Sequence, residues 1–284
     1  MSKKVKAARI SVLSNTLLIA LKLTAGILSG SVSIISEAIH SFMDLLASII
    51  AFISVRISDR PADERHPYGH WKIENISGVI EALLIFVAAI WIIYEAVHKI
   101  IAPGKVETIG LGFAVMCVSA LANSLVSWYL YKISKETGSV ALEADALHLK
   151  TDVYTSLGVA AGLGLIFLTG YHILDPVVAI LVSMLILKES YSLLMKAYKP
   201  LMDESLDPEE VKIIRETIER YCKENIKYHD LRTRKAGNYN YVDFHLNLDE
   251  NLTVKEAHDL CDLIEKEIKL RLVNSEITIH VENF

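Results

Sequence analysis

Apolar residues run in long, nearly unbroken stretches over the first 200 positions, then give way to short alternating and helical patterns. Stretches long enough to cross a hydrocarbon layer as helices occupy about Ile10–Leu28, Val32–Ile57, Ile76–Ile101, Ile109–Ile133, Val140–Leu168 and Pro176–Ala197, because about 20 helical residues span the apolar core of a bilayer. The first of these follows a basic segment, Met1–Arg9, and has the outline of a secretory signal. The run is too long for a signal core, and no small-residue cleavage site leading into a soluble domain comes after it, so it predicts a first spanning helix. Residues 1–200 are therefore expected to form an all-α, six-helix transmembrane domain.

Beyond Lys199-Pro200 the pattern predicts a second domain over 201–284. Asp207-Pro208-Glu209-Glu210 supplies an N-cap residue, a first-turn proline and first-turn acids. With Val211, Ile214, Ile218 and Tyr221 on one face it predicts a helix ending near Asn225. Ile226–Lys235 and Tyr239–Leu248 alternate as strands about Gly237-Asn238, a hairpin signal. Thr253-Val254-Lys255-Glu256 is a capping-box start for a helix to about Leu272, and Glu276–Glu282 is a last strand. The order α-β-β-α-β predicts a small α+β domain with helices on one sheet face.

Composition supports the membrane assignment: 52% hydrophobic residues and a mean hydropathy of +0.36 exclude an ordinary soluble protein of 284 residues. A net charge of −5 argues against a nucleic-acid partner. The cations gather in alternate connections, with Lys3, Lys4, Lys6 and Arg9 before the first run and Arg56, Arg60, Arg65 and Lys72 between the second and third. Lys132 and Lys135 join the fourth and fifth, and Lys196 and Lys199 follow the sixth; on the other side only Lys99 and Lys105 occur. Both termini are thus expected in the cytoplasm. Cys117, Cys222 and Cys261 form no CxxC and predict free thiols in a reducing compartment.

Two of the apolar runs carry ionisable residues at helical spacing. His40 and Asp44 stand four apart in the second, and His148 and Asp152 four apart in the fifth, so each pair shares a helix face. Burying such groups in lipid costs several kcal/mol each unless they are paired or bound, whereas two imidazoles and two carboxylates suit a tetrahedral divalent cation. We read these four as a metal transport site. Glu37 and Asp145, each three residues before a site histidine, are partners behind the ligands or water-facing side chains. Two further groups carry metal-type residues: Asp63, His66 and His70 in the connection after the second run, and His229, His245, His258, His280 and Glu282 in the second domain. Spacing alone leaves the first open between a three-ligand site and a solvated loop, and the second open between a metal site and unrelated residues.

These residues carry a resemblance. Together with Leu201-Met202-Asp203, the segment His229–Arg234 and Ile279-His280, the paired HxxxD sites and the Asp63–His70 loop with Lys72 and Glu74 make the chain resemble the cation diffusion facilitator family over nearly its whole length. It is most similar to the YiiP/FieF-type bacterial zinc/iron efflux transporters. The resemblance implies a homodimer in the cell membrane (inner or plasma) that exports cytoplasmic Zn²⁺ in exchange for protons by alternating access. It implies that His40, Asp44, His148 and Asp152 form the transport site and that Asp63, His66 and His70 form a loop site. It also implies a site of His229, His245, His280 and Glu282 in a metallochaperone-like cytoplasmic domain, with His258 bridging to a second ion, and a charged pair of Lys72 with Asp203 at the dimer hinge. The sequence departs from the family pattern at His40, where many bacterial members have Asp, at Trp71, where Gly is usual, and at Glu282, where Asp is usual.

Physics agrees with proton coupling: two carboxylates facing each other in a poorly solvated site hold protons when empty and lose them to a cation. Three classes of function compete. The leading one is a Zn²⁺/proton antiporter, with efflux of Fe²⁺, Mn²⁺ or Cd²⁺ as the alternative within its class. The second is a membrane-bound metal sensor, and the third a zinc hydrolase. The last is disfavoured because a catalytic zinc keeps a position open for water, so no enzyme is expected.

Overall fold

The computed structural model describes the backbone of residues 2–29, 32–101, 111–169, 171, 173–222 and 225–283, and their side chains except at 26, 29, 32–40, 43, 99, 111–116, 159–167 and 175. The chain divides into two compact units, Met1–Tyr198 and Lys199–Phe284.

The first unit consists of six helices: α1 (Lys3–Ser29), α2 (Val32–Ser58), α3 (Lys72–Ile101), α4 (Leu111–Thr137), α5 (Val140–Thr169) and α6 (Leu174–Tyr198). Among the described residues, Lys3–Ala25, Lys72–His98 and Pro176–Met202 are long and apolar enough to cross a membrane. α1 packs on α2 and α4, α4 on α5, and α3 on α6, with α5 touching every other helix of the unit. Leu17, Val87, Leu121 and Leu181 stand exposed on the outside of the bundle, a surface suited to lipid. Small residues let the helices close up. A Cβ at Gly78 would lie 2.8 Å from Val140 Cγ1 and 3.1 Å from Ala197 Cβ, and one at Gly158 would lie 3.0 Å from Val182 Cγ2.

The bundle is sealed at the end that holds the N-terminus. There Val5, Ala8, Val55, Leu130, Leu142 and Leu149 form one buried cluster.

The second unit begins with a 3-10 turn, Lys199–Met202, followed by α7 (Pro208–Glu219), β1 (Lys227–Ala236), β2 (Tyr239–Leu248), α8 (Val254–Arg271) and β3 (Ser275–Asn283). The sheet order is β1-β2-β3, β1 and β2 antiparallel and β2 and β3 parallel, so α8 is the crossover between parallel neighbours. Ile214, Ile218, Phe244, Leu246, Ile264 and Ile268 fill the core between helices and sheet. Thr253 Oγ1 accepts from the Glu256 N–H at 3.3 Å, and the Glu256 carboxylate accepts from the Thr253 N–H at 2.9 Å, closing the expected capping box.

α7 ends at Glu219 rather than near Asn225. The Tyr221 and Cys222 N–H groups turn back to Ile218 and Glu219 carbonyls in tighter bonds, while Tyr221 Oη donates to Glu267 of α8 at 2.7 Å. That tertiary bond draws Tyr221 out of the helical path. Within β1 the register slips between His229 and Arg232, with Asp230 at φ +52°, a bulge that period-two alternation does not announce.

Candidate metal centres

α2 and α5 bring Asp44, His148 and Asp152 together, with one ligand atom of each within 4.8 Å of the others. Helical spacing explains the placement on α5, where His148 and Asp152 lie one turn apart on the face toward α2. His148 Nε2 and Asp44 Oδ1 are 3.1 Å apart. Asp44 is buried, and its backbone carbonyl accepts from Asn15 Nδ2 of α1 at 3.4 Å. Asp152 Oδ2 accepts from Asn123 Nδ2 of α4 at 3.4 Å. One imidazole and two carboxylates thus converge from two helices, braced by amides from two more. The side chains of His40 and Glu37 lie outside the described residues; His40 precedes Asp44 by one turn of α2.

These three residues line a cavity of about 1000 Å³. Its other walls include Lys22, Trp91, Glu95, Ser119 and Pro176, all from the ends of their helices remote from the N-terminus. The cavity therefore extends from the site toward that remote end, while the opposite end is closed by packing. Lys22 is buried and donates to Ser41 Oγ at 2.7 Å, tying α1 to α2 beside the site. Asp145, by sequence either a partner behind the ligands or a water-facing side chain, is fully buried and so does not face water.

A second cluster lies in the connection between α2 and α3. Asp63 Oδ1 accepts from the His66 N–H at 2.7 Å and the Arg65 N–H at 3.0 Å, folding the loop so that His66 returns toward Asp63. His66 Nδ1 is 3.2 Å from Asp63 Oδ1 and His70 Nε2 is 3.3 Å from Asp63 Oδ2. The His66 backbone N–H, with weaker help from the His66 ring and the Arg65 N–H, holds the Asp63 carboxyl below its ordinary value despite some loss of hydration. Gly69, at φ +82°, makes the turn between the histidines. A Cβ there would lie 2.6 Å from Trp71 Nε1, so the indole that departs from the family pattern sits over Gly69.

The third cluster follows from strand register. His229 pairs with His245 and His245 with His280, so the three imidazoles form a row across the sheet. Ring centroids are 5.0 Å apart for the first pair and 4.8 Å for the second. Glu282, two residues after His280 and on the same face, places its carboxylate 3.1 Å from His229 Nε2, 3.0 Å from His245 Nδ1 and 3.7 Å from His280 Nε2. Its longer side chain reaches all three. Loss of hydration pushes the Glu282 carboxyl up, but the contacts with His245 and His229 outweigh it and hold the group below its ordinary value. The bulge adds Asp230, which spacing alone does not single out; it groups with His229 and His245. His258 lies elsewhere, on α8, exposed and 3.7 Å from Asp262.

Of the two residues that the resemblance places at a hinge, Asp203 has Arg234 Nη1 at 3.4 Å within the second unit, and Lys72 begins α3 in the first.

The family model for the cation efflux transmembrane domain matches residues 8–202, and that for the cation efflux protein cytoplasmic domain matches 206–284. An uncharacterized transporter of Synechocystis is 38% identical over 92% of this chain and 84% of its own length. The cation-efflux pump FieF of Shewanella oneidensis is 32% identical over 96% of this chain and 92% of its own. The manganese efflux system protein MneP of Bacillus subtilis is 31% identical over 98% of this chain and 96% of its own. Helical bundle, small mixed sheet and both family models agree, and the chain belongs to the cation efflux, or cation diffusion facilitator, family of transporters.

Proposed function

We propose that the protein exports Zn²⁺ from the cytoplasm in exchange for protons, working as a homodimer by alternating access. The observation that carries this reading is the convergence of Asp44, His148 and Asp152 on a cavity whose other walls lie toward the end of the helical unit remote from the N-terminus. A site open to one side and sealed from the other is what alternating access requires. With both termini in the cytoplasm, as the Lys and Arg distribution supports, this is the outward-facing arrangement.

In this reading His40, Asp44, His148 and Asp152 hold the transported ion. Two carboxylates and two imidazoles around Zn²⁺ leave the site near neutral, which lowers the cost of carrying it through a low-dielectric core. Proton and metal compete for the same lone pairs, so loading metal expels protons and loading protons expels metal. Asp63, His66 and His70 form a loop site. His229, His245, His280 and Glu282 hold metal in the 201–284 domain, which dimerises, with His258 bridging to a second ion. Lys72 pairs with Asp203 at the hinge. The test is counterflow: proteoliposomes holding a pH dye and a zinc dye should show Zn²⁺ uptake matched by proton efflux. Zn²⁺ binding without flux would sink the transporter reading in favour of a sensor.

Manganese or iron efflux is the second reading, favoured by the likeness to the manganese efflux protein MneP and by the two carboxylates among the three described ligands.

A further inference from the structure

Among the described residues of the membrane unit, two fully buried carboxyl groups belong to no metal centre and to no ion pair. Glu81 of α3 and Asp145 of α5 are each 0% exposed, and none of their four carboxyl oxygens has a hydrogen-bond partner among the described residues. They lie within electrostatic range of each other. Their chain neighbours Ala82 and Ala144 are themselves buried and pack with Leu193, so the surroundings are apolar. One turn before Glu81, Gly78 lets α3 approach Val140 and Ala197 too closely to admit even a methyl group. The ionisable groups that reach Asp145 besides Glu81 are His148, one turn on, and Asp44 of α2. His148 is committed to Asp44 at 3.1 Å. The buried Ser11 hydroxyl of α1 faces Asp145 and is the one neutral donor turned toward it among the described residues.

Two ionised carboxylates cannot share such a place. Glu81 would lose its hydration with nothing to offset it, Asp145 would have only the Ser11 hydroxyl and a His148 already committed to Asp44, and each would repel the other. A proton on a carboxyl oxygen removes that group's charge, and with it both the burial cost and the repulsion. We propose that Glu81 and Asp145 form a proton-binding site of the membrane unit, separate from the metal ligands, that holds at least one proton while the N-terminal end of the bundle is closed and releases it when that end opens.

Position gives the site its role. Glu81 precedes the cavity-lining Leu84 and Ile85 on α3, and Asp145 precedes His148 on α5, so the pair sits on the closed side of the transport site. Opening that end admits water. The O–H bond then breaks, the proton leaves to water as hydronium, and the carboxylate it leaves behind attracts a divalent cation toward His148 and Asp152. Closing the end expels water and requires the proton again. This rests on the antiport reading, which it deepens by separating a proton carrier from the metal ligands.

The test uses the full-length protein in lipid nanodiscs with Glu81→Gln, Asp145→Asn and the double variant. Infrared spectra of the wild type at pH 7 should contain a protonated-carboxyl stretch that the single variants shift or remove. Because each amide imitates a neutral acid, both variants should melt no lower than the wild type. Zn²⁺ added in weak buffer should release about one proton fewer per ion from the double variant than from the wild type. No protonated-carboxyl signal that responds to either substitution would overturn the site, as would amide variants that melt lower, the mark of lost ionised groups. An unchanged proton count would overturn the release. Failure of the wild type to move metal would sink the transport reading while leaving the infrared result intact.

Discussion

Lys4 Nζ lies 2.6 Å from Glu74 Oε1, and both side chains are almost removed from solvent, at 6% and 3% exposure. The pair gathers the N-terminal end of the bundle. Asp59 is 2.8 Å from the same ammonium, Ser58 Oγ donates to Glu74 Oε1 at 2.5 Å, and Ser139 Oγ donates to Glu74 Oε2. Helices α1, α2, α3 and α5 are thus tied through one carboxylate on the sealed side of the transport site.

Removing that carboxylate should loosen the seal. Glu74→Ala leaves a buried ammonium with Asp59 and the Ser58 hydroxyl and takes an acceptor from Ser58 and Ser139, at a cost of about 3 kcal/mol. A cysteine placed at buried Val55, whose side chain belongs to the same sealed cluster, should then react with a water-soluble maleimide at least tenfold faster than it does beside Glu74. Equal labelling and an equal Tm would mean that apolar packing alone closes this end.

At the transport site, Asp44→Ala or Asp152→Ala should abolish metal flux in a correctly inserted protein, because each removes an anionic ligand that nothing nearby replaces. Asn123→Ala should act more mildly. It removes the amide that orients Asp152, and loss of such a positioning bond typically costs about 10- to 100-fold in metal affinity. Isothermal titration with Zn²⁺ checks the order: wild-type affinity in the Asn123 variant would make that bond incidental.

The grouping of Asp44, His148 and Asp152 was legible in the sequence because ligand-type side chains at i,i+4 inside an apolar run are too costly to bury unless they are paired or bind something. Their supports were not. Asn123, Glu81 and Glu74 are single polar residues in helices, and only the packing of one helix on another shows that Asn123 meets Asp152, that Glu81 comes within electrostatic range of Asp145, or that Glu74 meets Lys4. In the second unit the alternation gave the strands to within a residue, but the histidine row depends on which strand lies in the middle. That is decided by the parallel return of β3 to β2. The Asp230 bulge and the early end of α7 at Glu219 follow from long-range bonds that a local pattern cannot hold.

The histidine row predicts metal-dependent stability. The isolated segment Lys199–Phe284, which has its own apolar core, should melt roughly 10 °C higher in Zn²⁺ at a hundredfold excess over Kd. Glu282→Gln should remove most of that gain, since its carboxylate touches all three imidazoles. A full shift in the Glu282 variant would take the carboxylate out of the site.

The capping box of α8 predicts a pH dependence of definite sign. Bonds from the Thr253 hydroxyl and N–H hold the Glu256 carboxyl below its usual 4.5. A carboxyl lowered on folding stabilises the fold above its unfolded value, and the contribution disappears as pH falls through the folded value. Thr253→Ala should therefore lower the stability of the segment by about 1 kcal/mol at neutral pH, with the gap to wild type narrowing below pH 4.5. A gap that stays constant into acid would show that the carboxylate takes no part in the cap.

The last prediction concerns the choice of metal. The described ligands at the transport site are one imidazole and two carboxylates, so the residue one turn before Asp44, His40, decides whether nitrogen or oxygen dominates. With two imidazoles and two carboxylates the set is compact, and a d¹⁰ ion such as Zn²⁺ or Cd²⁺ takes four ligands without an electronic penalty. Mn²⁺ and Fe²⁺ gain more from additional oxygen donors and higher coordination. His40→Asp removes a nitrogen and adds a carboxylate that can bind through both oxygens, so it should retain Zn²⁺ transport while raising Mn²⁺ or Fe²⁺ flux severalfold relative to Zn²⁺. It should also steepen the dependence of flux on pH, because the empty site then has a third carboxylate to neutralise before it can return. Competitive flux of the ions in proteoliposomes at two pH values measures both effects. If the wild type already moves Mn²⁺ as fast as Zn²⁺, or if the substitution leaves ranking and pH slope where they were, the balance of nitrogen and oxygen at this position does not set selectivity, and the cavity beyond the ligands must.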